Sequence, residues 1–349
     1  MLGLTALGAG IAPAEALRRI SFLLERSRSG TYRVQAFRKA ADIVRRMPPD
    51  ELSGHLAAAT LTHVPGLGPS TVAVVTEAAR GELPAYLQSL QEKSSAPLVT
   101  GGETVYAALA GDLHSHSDWS DGGSPIDEMV LSAVELGQDW LALTDHSPRL
   151  KVANGLTAAR LRQQLDVVDS VNATLGQRFT LLRGIEVDIL DDGTLDQSPD
   201  LLAELHVVVA SVHSKLKMPA DAMTRRMLTA VRNPRVNVLG HVTGRLVEGS
   251  RGVRAQSAFD ARAVFEACAE HDVAVEINSR PERCDPPDEL VGLALSLGCR
   301  FSIDSDAHAP GQLDMKAYGA ERAERLGVPL DRIVTTWPVE RVLEWAGRG

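Results

Sequence analysis

Seven short apolar runs, spaced by segments long enough to be helices, constrain this chain more than any other feature. The runs are GDLH (111–114), WLALTD (140–145), TLLRGIEV (180–187), HVVVASVH (206–213), VNVLGH (236–241), VAVEIN (273–278) and RFSIDSD (300–306). Between most of them lie 12 or more residues with helical spacing, as in PIDEMVLSAVELG and AFDARAVFEACAEH. Strands alternating with helices at this length pair in parallel through right-handed crossovers. Seven units in about 245 residues favour a closed barrel over an open sheet. The predicted class is therefore α/β, a closed barrel of seven β/α units over residues 104–349. No fixed-period repeat is visible, which excludes a solenoid.

The ends of those runs carry the chemistry. His114 and His116 lie two apart, so they project to the same side of an extended chain. Asp121 follows in the next loop, His146 ends the second run, and Glu186 lies in the third. His213 ends the fourth run, His241 the fifth, and Asp306 and His308 close the seventh. Six of the seven runs thus place a ligand-type side chain near their carboxyl ends, which converge on one face of a parallel barrel. A single strand-end histidine is usually a hydrogen-bonded structural residue, but nine such groups on one face would be unstable without cations. His206 begins its run and reads as structural, as do His55, His63 and His271 on helical or turn segments.

Imidazole and carboxylate without thiolate suit Zn²⁺, Mn²⁺ or Fe²⁺. Nine side chains exceed one coordination sphere, so two to three divalent ions are expected. Their surplus charge should attract a phosphate ester, polarise it and acidify a bridging water, giving hydrolysis by a metal-bridged hydroxide. No GxSxG, CxxC or GxxxxGK[ST] offers a competing mechanism. The sixth run has no ligand, but EINSRPERCDPP follows it. Arg283 and Arg280 there, and more weakly Lys215, are candidate phosphate contacts. Asp145 and Asp304 are candidate acceptors that orient imidazoles, with a turn or cap role as the alternative.

Residues 13–93 read as all helical. Pro13 opens ALRRISFLLERSR, Gly30 breaks it, and TYRVQAFRKAADIVRRM resumes until Pro48 and Pro49. The turn Pro65-Gly66-Leu67-Gly68 then feeds another helix that ends before Gly81. A Ser- and Gly-rich stretch from about Lys93 to Thr104 reads as the linker. Residues 1–100 hold 11 Lys and Arg against 8 Asp and Glu, a net of +3, while the remainder holds 25 against 37, a net of −12. A small basic appendage on an acidic body is the part expected to touch nucleic-acid phosphate. Three scattered cysteines exclude a disulfide framework and point to a reducing, cytoplasmic compartment. No run is long enough for a membrane span. The apolar opening MLGLTALGAGIAPAEA lacks the basic n-region of a signal peptide, so secretion is not expected.

The strings DLHSHSDWSDG, LTDHS, GIEVDIL, SVHS, LGHVTGR and SIDSDAH resemble the PHP (polymerase and histidinol phosphatase) superfamily of metal-dependent phosphoesterases. The resemblance implies a distorted (β/α)7 TIM-like barrel with a trinuclear site. His114, His116, Glu186 and Asp306 would hold one ion, and Glu186 would bridge to a second held with His213 and His241. Asp121, His146 and His308 would hold a third, and Glu186, Asp306 and Arg283 would be catalytic. GIEVDILDDGTLD, LGHVTGRL and EINSRPER look most like the PHP domain of bacterial X-family DNA polymerases. TYRVQAFRKAADIVRRM with HVPGLGPSTVAVVTEAARGEL resembles their N-terminal, polymerase-β-like helical domain, here residues 1–95, with one helix-hairpin-helix. In that motif Gly66 and Gly68 would offer backbone N–H groups to a DNA phosphate. The polymerase core expected between the two domains is absent, and Val74 stands where a lyase lysine is expected, so neither polymerase nor lyase activity follows. The expected function is a phosphoesterase acting on DNA ends, as a 3′–5′ exonuclease or 3′-phosphatase. The alternatives are a small-molecule phosphomonoesterase of the histidinol-phosphatase type and a non-catalytic DNA-binding adaptor.

Overall fold

A computed structural model describes residues 10–249 and 252–347. The first nine residues of the apolar opening lie outside the described residues. The chain divides into two compact units, one ending at Pro97 and one beginning at Leu98. Among the described residues no helix is long and apolar enough to cross a membrane.

The first unit is helical, as its spacing predicts: α1 (Pro13–Arg26), α2 (Thr31–Arg46), α3 (Pro49–Ala58), α4 (Pro69–Ala79) and α5 (Ala85–Lys93). Pro13 sits in the first turn of α1, where its missing N–H costs nothing. Leu17, Ile20, Leu23 and Leu24 bury one face of α1 against Val34, Phe37 and Val44 of α2. Gly66 turns the chain into α4 with φ +96°, and a Cβ there would lie 2.6 Å from Ile43 Cδ1. Glycine is needed at this position on both counts.

The second unit carries α6 (Glu103–Ala108), α7 (Ile126–Glu135), β1 (Trp140–Leu143), α8 (Ala158–Leu175), β2 (Thr180–Asp188), α9 (Pro199–Leu202), β3 (Val207–Ser211), α10 (Ala220–Val231), β4 (Val238–Leu239), α11 (Ala261–Glu270), β5 (Ala274–Asn278), α12 (Asp288–Ser296), β6 (Phe301–Asp304), α13 (Lys316–Arg325) and α14 (Val339–Ala346). The six strands pair in parallel in sequence order, which gives a curled sheet. Six of the seven predicted runs are strands, and GDLH is not. Residues 110–116 still run beside β1, since Ala142 N–H donates to Asp112 O (2.8 Å) and Thr144 N–H to Ser115 O (2.8 Å). On the β6 side the backbone pairs at one bridge, where His116 N–H donates to Ala307 O (2.8 Å), and side chains take the place of the rest of a ladder. Leu113 N–H donates to Asp304 Oδ1 (2.8 Å), and Ser305 N–H lies 3.3 Å from the Asp112 carboxylate. Carboxylates thus occupy the acceptor positions that a regular seventh strand would supply.

Side-chain alternation sorts the sheet into two faces. Ile185, Val187, Val208, Val275 and Ile303 pack outward with helix residues such as Met227 and Phe265. Leu182, Val207, Val209, Val238 and Ala274 share the other face with Trp140, Leu113 and Trp345 of α14. Toward the strands' carboxyl ends the same inward row turns polar, with Glu186, Asp188, Glu276 and Asn278 all buried. An apolar plug closes one end of the barrel, and chemistry occupies the other.

Gly111 tests this plug. A Cβ there would lie 2.1 Å from Trp140 Cδ2, and that indole is fixed by its Nε1–H bond to Trp337 O (3.0 Å). Gly111→Ala should therefore lose about 1–3 kcal/mol in urea unfolding. Gly292→Ala, in α12 with open space around the new Cβ, should gain about 0.4–1 kcal/mol. Equal effects from the two would refute the tight Gly111–Trp140 contact.

Candidate metal centre

All nine sequence-nominated side chains gather at the carboxyl ends of the strands around Glu186. Its Oε2 lies 2.8 Å from His146 Nδ1, 3.3 Å from His114 Nε2 and 3.6 Å from His116 Nε2. Its Oε1 lies 2.9 Å from His241 Nε2 and 3.2 Å from His213 Nε2. Five imidazoles therefore face one buried carboxylate, three on one oxygen and two on the other. Register explains part of this, because the backbone at His146 bridges in parallel to Glu186 just past the end of β1. Asp121 Oδ1 lies 3.4 Å from His146 Nε2 and 3.3 Å from His308 Nε2. Asp306 Oδ1 lies 3.4 Å from His116 Nε2 and 3.6 Å from His308 Nδ1.

Three groups have ligand atoms within 4.8 Å of one another: His116, Asp121, His146 and His308; His114, His116 and Glu186; and His146, Glu186 and His213. His116 and His146 are each shared between two groups, where the resemblance gives each to one ion. The donors fit divalent cations on this protein's own geometry. His114 Nε2, both ring nitrogens of His116, His146 Nδ1, His241 Nδ1 and Glu186 Oε2 are buried without a hydrogen-bond partner. Buried polar atoms normally have partners, and a cation would satisfy several of these at once.

The electrostatics favour positive charge here. Burial alone would raise Glu186, yet His213, His114 and His146 hold its carboxyl well below the usual range. Burial disfavours protonated His146, but Glu186 and Asp121 outweigh it and push this ring up to about 10. His114 is raised in the same way by Glu186, Glu276 and Asp306. His241 falls to about 3, through burial and the nearby Arg283 guanidinium. Protons on some rings thus stand where cations can sit.

Two orienting acids escape a search for run-end ligands. Glu276 Oε1 lies 2.6 Å from His114 Nδ1, and Asp188 Oδ1 lies 2.5 Å from His213 Nδ1. Each fixes a ring so that Nε2 faces Glu186. The signals were present: Glu276 is a charge inside an apolar run, and Asp188 lies two residues after Glu186 on the same side of β2. Asp145 and Asp304 do not orient imidazoles. Asp145 accepts from Ser117 N (2.8 Å), Ser117 Oγ (2.6 Å) and Gln164 Nε2 (2.6 Å), and Asp304 holds Leu113 N–H. They pin the backbone that presents His114 and His116.

The basic candidates separate. Arg283 is buried, with Nε 3.1 Å from Asp306 Oδ2. Arg280 Nη1 lies 3.1 Å from His308 Nδ1 and 3.2 Å from Asp306 O, both at the centre's edge. Lys215 is exposed and ion-paired to Asp191 at 2.6 Å, so its charge is already matched away from the imidazoles. Gly68 caps α4, and its N–H donates to Thr71 Oγ1 (3.0 Å). Gly66 shapes the turn ahead of that cap.

Comparison with known proteins follows this division. Residues 112–280 match the PHP domain, and residues 12–82 match a helix-hairpin-helix domain. The chain is 41% identical over 217 residues to the DNA polymerase/3′-5′ exonuclease PolX of Bacillus subtilis, covering 62% of this chain but 37% of that protein. It is 28% identical over 243 residues to a probable phosphatase of Vibrio parahaemolyticus, covering 64% of this chain and 88% of the relative. A solved histidinol phosphate phosphatase from Lactococcus lactis aligns at 16% identity and TM-score 0.41, over 69% of this chain and 95% of that one.

Metal binding should be measurable as stability. Chelator-treated protein given Mn²⁺ or Zn²⁺ should melt higher, since free ion at 100 times Kd is worth about 2.7 kcal/mol. Glu186→Gln should lose most of that gain, whereas Lys215→Ala should keep it. An undiminished gain in Glu186→Gln, read by thermal denaturation, would remove that carboxylate from the centre.

Proposed function

The chain carries a PHP domain in residues 112–280 and a helix-hairpin-helix domain in residues 12–82, and on that premise we propose a phosphoesterase dependent on two to three divalent metal ions that hydrolyses phosphate esters at DNA ends. Its action is of the 3′–5′ exonuclease or 3′-phosphatase type. The observation that carries this reading is one buried carboxylate, Glu186, facing five imidazoles, in a chain that also matches a helix-hairpin-helix domain over residues 12–82.

The nine side chains His114, His116, Asp121, His146, Glu186, His213, His241, Asp306 and His308 are the proposed ligands. Mn²⁺ or Zn²⁺ suits this thiolate-free set. Bound ions supply a Lewis acid for the phosphoryl oxygen and lower the pKa of a bound water. Asp188 and Glu276 keep the His213 and His114 rings in the ligating orientation. Arg283 and Arg280, on the Asp306 and His308 side, oppose the charge of an incoming phosphate. Lys215, exposed and paired to Asp191, is the weaker phosphate candidate. In the helical unit, Gly66 and Gly68 shape a turn whose following amides, at the start of the 11-residue α4, face a DNA phosphate.

A small-molecule phosphomonoester is the second reading. It is favoured by the probable phosphatase, which matches over 88% of its own length. Assays with Mn²⁺ on 3′-recessed DNA, 3′-phosphorylated DNA and histidinol phosphate separate the two. Glu186→Gln should lower turnover at least about 100-fold on any of these substrates. A chain beginning at Leu98 keeps every proposed ligand and should hydrolyse a small chromogenic phosphate ester at the full-length rate. Its KM for DNA should rise about 10-fold, with a flatter salt dependence, because phosphate contacts are lost. Unchanged DNA kinetics in the shortened chain would hand the function to the small-molecule reading.

A further inference from the structure

Beside the metal centre lies a cleft of about 560 Å³. It opens between the loop after β5, the start of α12 and one side of α13, and is lined among others by Asn278, Arg280, Pro287 and Tyr318. The cleft and the centre share a wall. Asn278 Nδ2 donates to Asp306 Oδ2 (3.2 Å), and Arg280 touches His308 and Asp306 O. Arg280 is the residue common to both, and a phosphate held on it at the centre's edge would present its ester substituent to this cleft.

The lining narrows what that substituent can be. Arg245 is committed to the carbonyls of Arg283 and Cys284, and Arg280 to Glu282. Arg322 and Arg325 pair with Asp288 at 2.9 and 2.8 Å. The cleft is thus charge-balanced and poorly suited to a second anion. Tyr318 supplies a half-buried ring, and its hydroxyl makes no hydrogen bond among the described residues. Tyr106, by contrast, gives its hydroxyl to Asp314. A half-buried tyrosine with a free hydroxyl and nearby proline faces suits a planar, neutral, hydrogen-bonding group. The volume falls in the range of sites for ligands well above the size of an amino alcohol.

The geometry points to a nucleoside subsite: the cleft receives the nucleoside esterified to the phosphate at the metal centre, with Tyr318 as its stacking face. This rests on the phosphoesterase reading and names which substituent the enzyme prefers. The test is calorimetric titration of the Mn²⁺-loaded full chain with thymidine 5′-monophosphate and with inorganic phosphate. Native protein should bind the nucleotide at least about 5-fold more tightly than phosphate, since stacking of one base on an aromatic ring is worth that factor or more. Tyr318→Ala should bring the two affinities within about threefold while leaving inorganic phosphate binding unchanged. Equal affinities in the native protein, or an undiminished preference in Tyr318→Ala, would overturn the subsite. DNA-end hydrolysis by the native protein is scored separately. Cleavage without nucleotide preference defeats only the subsite, and nucleotide preference without cleavage defeats only the DNA-end reading.

Discussion

The arrangement depends on one anion buried where an anion should not be. Glu186 is almost wholly removed from water, and an isolated carboxylate there would be strongly disfavoured. It remains ionised because imidazoles from four separate stretches of chain close on its two oxygens. Those stretches, around residues 114–116, 146, 213 and 241, come together only when the sheet curls. The barrel and the centre are therefore the same structural event. Removing the carboxylate would leave the rings as mutually repelling buried groups.

Around this hub a second set of acids works on geometry rather than on ions. Asp188 and Glu276 hold rings, while Asp112, Asp145 and Asp304 hold the irregular backbone of residues 110–120. That backbone is not a strand, and its precision comes from carboxylates bonded to amides. The same acids change the meaning of the unit's net charge. Nine of its Asp and Glu are buried among the described residues, against four Lys and Arg: Arg226, Arg283, Lys316 and Arg322. A net of five of the twelve excess negative charges is thus buried (9 − 4), several of them at and beneath the centre. The surface is less hostile to a polyanion than the net of −12 suggests, and bound cations would reduce the remaining excess further.

The cleft beside Asp306 extends the same economy of parts. Asn278 and Arg280 belong to both the centre and the cleft wall, so a group bound in one is held at a fixed distance from the other. Arginines paired to Asp288 and to backbone carbonyls make that wall rigid without making it cationic.

The sequence by itself determined the alternation of strand and helix, the split between a helical unit and an α/β unit, and the nine side chains that gather at the strands' carboxyl ends. It could do so because strand period, helix period and run-end position are local properties of the chain. Tertiary structure alone decided the rest. GDLH has the composition of a strand, but its β6-side amides find the carboxylates of Asp304 and Asp112 first. Asp145 looks like an imidazole partner from its place before His146, yet alternation turns it away from the rings and onto Ser117. Glu276 becomes the partner of His114 because curling brings residues 162 positions apart within 2.6 Å. Lys215 is close to His213 in sequence and is exposed and paired to Asp191 in space. Pairing across a curled sheet depends on which strands the curl makes neighbours, and no local pattern encodes that.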